Sequence, residues 1–263
     1  LHSDGVFETA RLHQGKYFRL DQHLERLQES ARTLQLSAPS NQQLAELALE
    51  IARRNRLTEA SLRITLTRGS GGSGLKTANA HQPTLLITSS TIAADWKEHA
   101  AHGWTLVTAK TLRPAPSSAP AQLKALGRVY ALLATLEAEA ADVDDALLLT
   151  AERQIAEGPT WNFFWRHGRV LRTAALEAGV LEGVTRRIIM DLAAAADFEV
   201  EEGRWPRSEL DDAEEAFATM TSRGIVHIRS LDGRPFPSSD CARLLQPRYW
   251  DMVAAELRAS STP

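Results

Sequence analysis

Residues 112–121, LRPAPSSAPA, constrain this chain most. Three prolines in ten residues remove backbone donors, and neither a helix nor a central strand can run through them. The stretch divides the chain near residue 117 into two parts, and each part alternates strand-like with helix-like patterns. That order predicts an α/β (α+β) protein with a small N-terminal domain over residues 1–112, a linker at 113–122 and a larger domain over 123–263.

In the first part, residues 6–12 and 17–20 read as two short strands around His13-Gln14-Gly15-Lys16. Asp21 is placed to cap a helix in which Leu24, Leu27, Ala31 and Leu34 recur at helical spacing. Residues 41–55 form a second amphipathic helix. In residues 61–67, Leu62, Ile64 and Leu66 alternate with Arg63 and Thr65, as in a half-buried strand. A Gly/Ser loop at 69–74 precedes strands at 84–89 and 105–108. Beyond the linker the patterns predict a helix at 125–140, a strand at 145–150 and a hairpin from 155–166 to 170–172. A helix at 185–196, strands at 199–202, 215–219 and 225–231, and a closing helix at 249–258 complete the expectation.

Composition narrows the function. A net charge of −3 and a pI near 6.3 supply no field for nucleic acid or an anionic membrane. No apolar run approaches the ~20 residues that span a bilayer, and no secretory signal is visible. Cys241 is the single cysteine, which fits a reducing, cytoplasmic compartment. No metal site is expected: His99 and His102 are the closely spaced histidines, and no ligand set accompanies them. The loop at 69–74 lacks the Gly-Lys-Ser/Thr ending of a phosphate loop, and no Gly-x-Ser-x-Gly elbow occurs.

Five lysines stand against twenty-five arginines, and none follows Lys124. Arginine stays protonated, whereas a desolvated lysine can attack a carbonyl. Lys124, at the mouth of an apolar stretch, is therefore a Schiff-base candidate, although alone it reads more readily as a solvated charge at a helix end. Arg26, in HLERL, is either a surface arginine beside Glu25 and Glu29 or a phosphate anchor. Gly183-Val184-Thr185 opens a helix and forms either an ordinary cap or an anion site. The run FATMTSRG carries the same two readings.

Taken in order, SDGVFET, HLERL, a lysine after a linker, AEGPTWNFF, LEGVTR, FATMTS and HIRSLDGRPF resemble the class IV (fold-type IV) aminotransferases. This pyridoxal-phosphate family includes branched-chain and D-amino acid aminotransferases and aminodeoxychorismate lyase. The resemblance spans nearly the whole chain, and the abrupt start suggests that some N-terminal residues precede Leu1. It implies that the larger domain is barrel-like and that Lys124 holds pyridoxal 5'-phosphate as a Schiff base and carries the proton, with Glu157 partnering the pyridine nitrogen. Arg26, Val184, Thr185 and Thr221 match phosphate-binding positions. Phe7 and Thr9 match pocket-lining positions, and Arg63 matches a position near the substrate carboxylate; otherwise Arg63 is a surface arginine in an ion pair.

Three positions depart from the family pattern. Ser73 stands where D-amino acid enzymes and many lyases have arginine, Val129 where branched-chain enzymes often have tyrosine, and His227 where proline is usual. The expected function is transamination between an amino donor and a 2-oxo acid, small-molecule substrates being the partners, in a homodimer. The alternative is a lyase releasing pyruvate and 4-aminobenzoate, favoured by the RGSGG loop and Leu126-Gly127-Arg128. A catalytically idle homologue is the remaining reading.

Overall fold

The computed structural model describes residues 3–71, 76–80, 82–93, 95–118 and 123–259. The chain forms two compact units. One comprises Leu1–Ala93, Leu123–Arg128 and Glu256–Pro263; the other comprises Ala94–Gln122 and Val129–Ala255. These bounds differ from 1–112 and 123–263. Residues 104–112 pair their backbone within the second unit, and residues 123–128 pair theirs within the first. Residues 119–122 of the expected linker, and Ser73 within 72–75, lie outside the described residues.

The first unit contains β1 (Gly5–His13), β2 (Lys16–Tyr17), α1 (Leu20–Thr33), α2 (Asn41–Arg54), β3 (Ala60–Thr67) and β4 (Thr84–Thr91). Its antiparallel sheet has the order β2-β1-β3-β4. The two-residue alternation of a strand gives β1 two different faces. Val6 and Leu12 turn into an apolar core, where Val6 meets Leu24, Leu27, Leu44, Leu62, Ile64 and Leu66. Phe7 and Thr9 share the opposite face with Thr65 and Arg63, their register partners on β3. α2 starts on a capping box between Ser40 and Gln43. Asp21 does not cap α1. The cap position is Arg19, in a left-handed conformation, and Asp21 sits in the first turn, where its charge suits the helix dipole. That early start cuts the expected strand at 17–20 to β2.

The second unit contains α3 (Trp96–His102), β5 (Trp104–Leu112), α4 (Val129–Ala140), β6 (Asp145–Leu149), β7 (Asn162–His167), β8 (Val170–Ala174), α5 (Val184–Ala194), β9 (Glu199–Gly203), β10 (Glu215–Met220), β11 (Gly224–Leu231), β12 (Arg234–Pro235) and most of α6 (Asp240–Ala259). Its mixed sheet runs β6-β5-β11-β10-β7-β8-β9, with β12 on β11. Stacked aromatic pairs, Phe163 with Trp165 and Phe164 with Phe217, fill both faces of β7. α6 begins nine residues before the expected closing helix, because Pro247 lies within it rather than ending it. α3 had no counterpart in the sequence reading. On α4, Val129, Leu132, Leu133 and Leu136 are all large, apolar and exposed. Among the described residues, no helix is long and apolar enough to cross a membrane.

Candidate active site

Lys124 does not open a helix. Residues 124–126 pair with the free edge of β1: Val6 bridges Ala125, Phe7 N–H donates to Lys124 O at 3.0 Å, and Leu126 N–H donates to Gly5 O at 3.0 Å. α4 begins only at Val129. Lys124 is held by backbone pairing to β1, not by a helix turn. Lys124 Nζ lies 4.9 Å from the centre of the Phe7 ring.

Arg63 Cζ lies 3.7 Å from the same ring centre. Arg63 is exposed and forms no ion pair among the described residues. Partial desolvation and the nearby Arg128 guanidinium push its pKa below the ordinary arginine value. Two guanidiniums held near one another concentrate positive charge where a carboxylate would be welcome. Lys124, Phe7, Thr9, Arg63 and Arg128 thus form one group around the face of β1 turned away from the core.

Arg26 lies on the other side of that strand. Its Nε and Nη2 donate to Glu8 Oε1 and Oε2 at 2.6 and 2.9 Å, and His23 Nδ1 lies 3.0 Å from Oε2. Burial would raise the Glu8 pKa, but Arg26, His23 and Lys124 together hold it well below the ordinary carboxylate range. Burial lowers the His23 pKa despite Glu8.

In the second unit, Glu157 is 2 % exposed and fixed on one oxygen. Oε2 accepts from Asn162 Nδ2 at 3.0 Å and from Leu181 N–H at 2.9 Å. Oε1 is buried and makes no hydrogen bond, although Arg113 Nη1 stands 2.7 Å away outside hydrogen-bonding geometry. We take the contact as an ion pair that leaves the oxygen's directional acceptor capacity open. Arg113 also donates to the Gly179 carbonyl and to the Tyr130 hydroxyl. Tyr130 follows the exposed Val129, and its hydroxyl accepts from Arg113 at 2.9 Å.

The same loop leads into α5. Asn162 Nδ2 also donates to Leu181 O at 2.8 Å, and a Cβ on Gly183 would come within 2.1 Å of Asn162 Oδ1, so only glycine fits there. No side chain caps α5, whose first residues Val184 and Thr185 are buried. Its leading N–H groups therefore have no acceptor within the helix. Thr221 lies in the β10–β11 turn, and Thr219, two residues earlier, has a buried hydroxyl without a hydrogen-bond partner.

These features fit pyridoxal phosphate: an acceptor oxygen for a ring N–H, an uncapped helix start for a phosphate, and a lysine for the aldehyde. Sequence reading gave no site role to Arg113, Tyr130, Asn162 or Thr219, and used Arg128 only within the Leu126-Gly127-Arg128 run that favours the lyase. Only Arg128 had a visible signal, its place four residues after the lysine. Among the described residues, no cluster of His, Cys, Asp or Glu is arranged to hold a metal.

Residues 5–231 match the family described as Amino-transferase class IV. A putative branched-chain-amino-acid aminotransferase of Methanocaldococcus jannaschii is 33% identical over 236 residues, covering 89% of this chain and 81% of the relative. Aminodeoxychorismate lyase of Bacillus subtilis is 28% identical over 235 residues, covering 88% and 79%. The solved branched-chain amino acid aminotransferase of T.th., complexed with N-(5'-phosphopyridoxyl)-L-glutamate, superposes with a TM-score of 0.89. It is 27% identical, and the match covers 97% of this chain and 86% of that one.

Proposed function

Since the chain belongs to the class IV aminotransferases, we propose that it carries pyridoxal 5'-phosphate on Lys124 and moves an amino group between an amino acid and a 2-oxo acid. The observation that supports the reading best is Glu157: a buried carboxylate with one oxygen fixed by two hydrogen bonds and the other ion-paired to Arg113 without a hydrogen bond of its own. When bound, the cofactor supplies an electron sink conjugated to the substrate α-carbon.

This chain's residues supply the rest. With the cofactor bound, Glu157 Oε1 would hold the proton of the pyridine nitrogen. Asn162 and Leu181 give the carboxylate a single orientation, and Arg113 balances its charge. The N–H groups of Val184 and Thr185, with the Thr185 and Thr221 hydroxyls, would hold the phosphate, and Arg26, oriented by Glu8, is the matching cation the resemblance implies. Lys124 Nζ, released when an amino substrate arrives, takes the proton from the α-carbon and returns it. Arg63, with Arg128 near it, holds the substrate carboxylate over the face that Phe7 and Thr9 line.

The test is the near-ultraviolet and visible spectrum of the purified protein before and after mixed D- and L-amino acids. Conversion of the lysine-bound cofactor band to the pyridoxamine form supports transamination, whereas a band that never converts favours the lyase. Arg128, in the Leu126-Gly127-Arg128 run, and the similarity to aminodeoxychorismate lyase keep that second reading open. Lys124→Ala removes both carrier and proton shuttle, so turnover falls by at least about 10⁴-fold with the fold retained. Near-wild-type turnover in that variant sinks the assignment. We read the working form as a homodimer, for which the exposed apolar stripe of α4 is the support.

A further inference from the structure

The larger unit holds a cavity of about 480 Å³ that shares no lining residue with the site above. Its walls come from α3, α6 and the face of β11 that carries Ile225 and His227. The apolar part is built around Trp96 and Trp250, whose ring centres are 5.0 Å apart, with Ile225 beneath. The His227 ring is wedged against Gly103: a Cβ there would come within 2.1 Å of it, and Gly103 has φ +77°, which also favours glycine. The imidazole is therefore a fixed part of the wall.

Charge in the lining has one sign. Lys97 and Arg243 are the ionic residues, and no Asp or Glu appears among the described lining residues. Some arginines of this unit are closed by carboxylates, among them Arg166 by Glu215, Arg172 by Glu201, Arg186 by Glu202 and Arg207 by Asp232, and others are not. Arg243 forms no ion pair among the described residues. His227 feels the imbalance, its pKa being lowered first by burial and then by Arg243, Arg229 and His102.

We propose that this cavity is a second ligand site, taking a small organic anion with an aromatic or branched apolar end and one carboxylate. The volume lies within the ~300–1,000 Å³ of ordinary small-molecule pockets. Apolar walls with a few convergent cations are the pattern that binds such a molecule. Trp96, Trp250 and Ile225 take the apolar end, and Arg243 and Lys97 take the carboxylate through charge-assisted contacts. The site is independent of the function proposed above.

The test is calorimetric titration of the full-length, cofactor-loaded protein with 3-phenylpropionate and with the uncharged 3-phenylpropanol. Wild type is compared with Arg243→Glu and with Ala101→Phe, which adds bulk at an exposed lining position. We expect the acid to bind wild type and to lose at least about tenfold in affinity in each variant, while the alcohol binds wild type at least about tenfold more weakly than the acid. Turnover stays at the wild-type level in both variants. Absence of binding to wild type overturns the proposal. So does binding that both variants leave unchanged, which would put the ligand in the active site. Equal binding of the alcohol overturns the anion preference.

Discussion

Arg63 leans on an aromatic ring, not on a carboxylate, and that makes it the most informative single side chain for specificity. A surface arginine gains little from staying unpaired near a second arginine, whereas a substrate carboxylate placed against both relieves their repulsion. Arg63→Leu should therefore raise KM for the 2-oxo acid by about 10- to 100-fold, the value of a charge-assisted hydrogen bond, while cofactor retention is unchanged. Arg128→Leu should act in the same direction and less strongly. Steady-state kinetics decide it: an unaltered KM in Arg63→Leu would remove the residue from the substrate site. Glu157 makes a different prediction, on kcat. Glu157→Gln keeps the size and the contact to Leu181 N–H but cannot hold a proton on the pyridine nitrogen. Stopped-flow decay of the lysine-bound cofactor band on mixing with an amino acid should slow by about 10²-fold. A rate equal to wild type would contradict the role.

At the scale of elements, α1 is locked to β1 by buried charge. Glu8 is tied to His23 and Arg26, and breaking such a pair from one side costs about 3 kcal/mol. The sign of its pH dependence follows from the depressed pKa. A carboxylate bound more strongly when ionised contributes stability above its unfolded pKa, near 4.5, and that contribution is lost as pH falls toward the folded value. His23, whose pKa is also lowered, adds acid sensitivity of the same sign, beginning below about pH 6.5. Glu8→Gln should thus melt well below wild type at pH 7, with the gap in Tm narrowing as the pH falls from about 4.5 toward 3. A gap that is constant with pH would show that the charge is not what joins strand to helix. Most elements were legible because period-2 and period-3.6 patterns persist in residues 61–67 and 21–34. The pairing of Arg26 with Glu8 was not, since nothing local links a strand residue to one eighteen positions away. Lys124 was legible as chemistry but not as structure. The apolar run after it suggested a helix from 125, and only long-range pairing with β1 holds 124–126 in place. Likewise Arg113 sat in a run read as linker, and its contact with Glu157 exists only in the fold.

At the scale of the whole molecule the open question is what covers α4. Val129, Leu132, Leu133 and Leu136 recur at i, i+3, i+4 and i+7, one stripe along one side of the helix, and they are 65 %, 59 %, 46 % and 49 % exposed. The opposite side, Ala131, Ala134 and Ala138, is already buried against its own unit. A helix apolar on both sides is ordinary when the second side meets another surface. A stripe that meets its own copy across a two-fold axis is self-complementary, and a closed pair forms without growing into fibres. The protein should therefore sediment as a dimer at micromolar concentration. Leu133→Glu, central in the stripe, places two like charges in the interface for each change and should weaken the dimer by at least about 100-fold, giving monomers at the same concentration. The melting behaviour of each monomer should change little, because Leu133 is not part of the buried core. Sedimentation velocity at several concentrations reads this directly. A wild-type monomer, or a dimer indifferent to Leu133→Glu, would mean that α4 is covered by something other than a second copy.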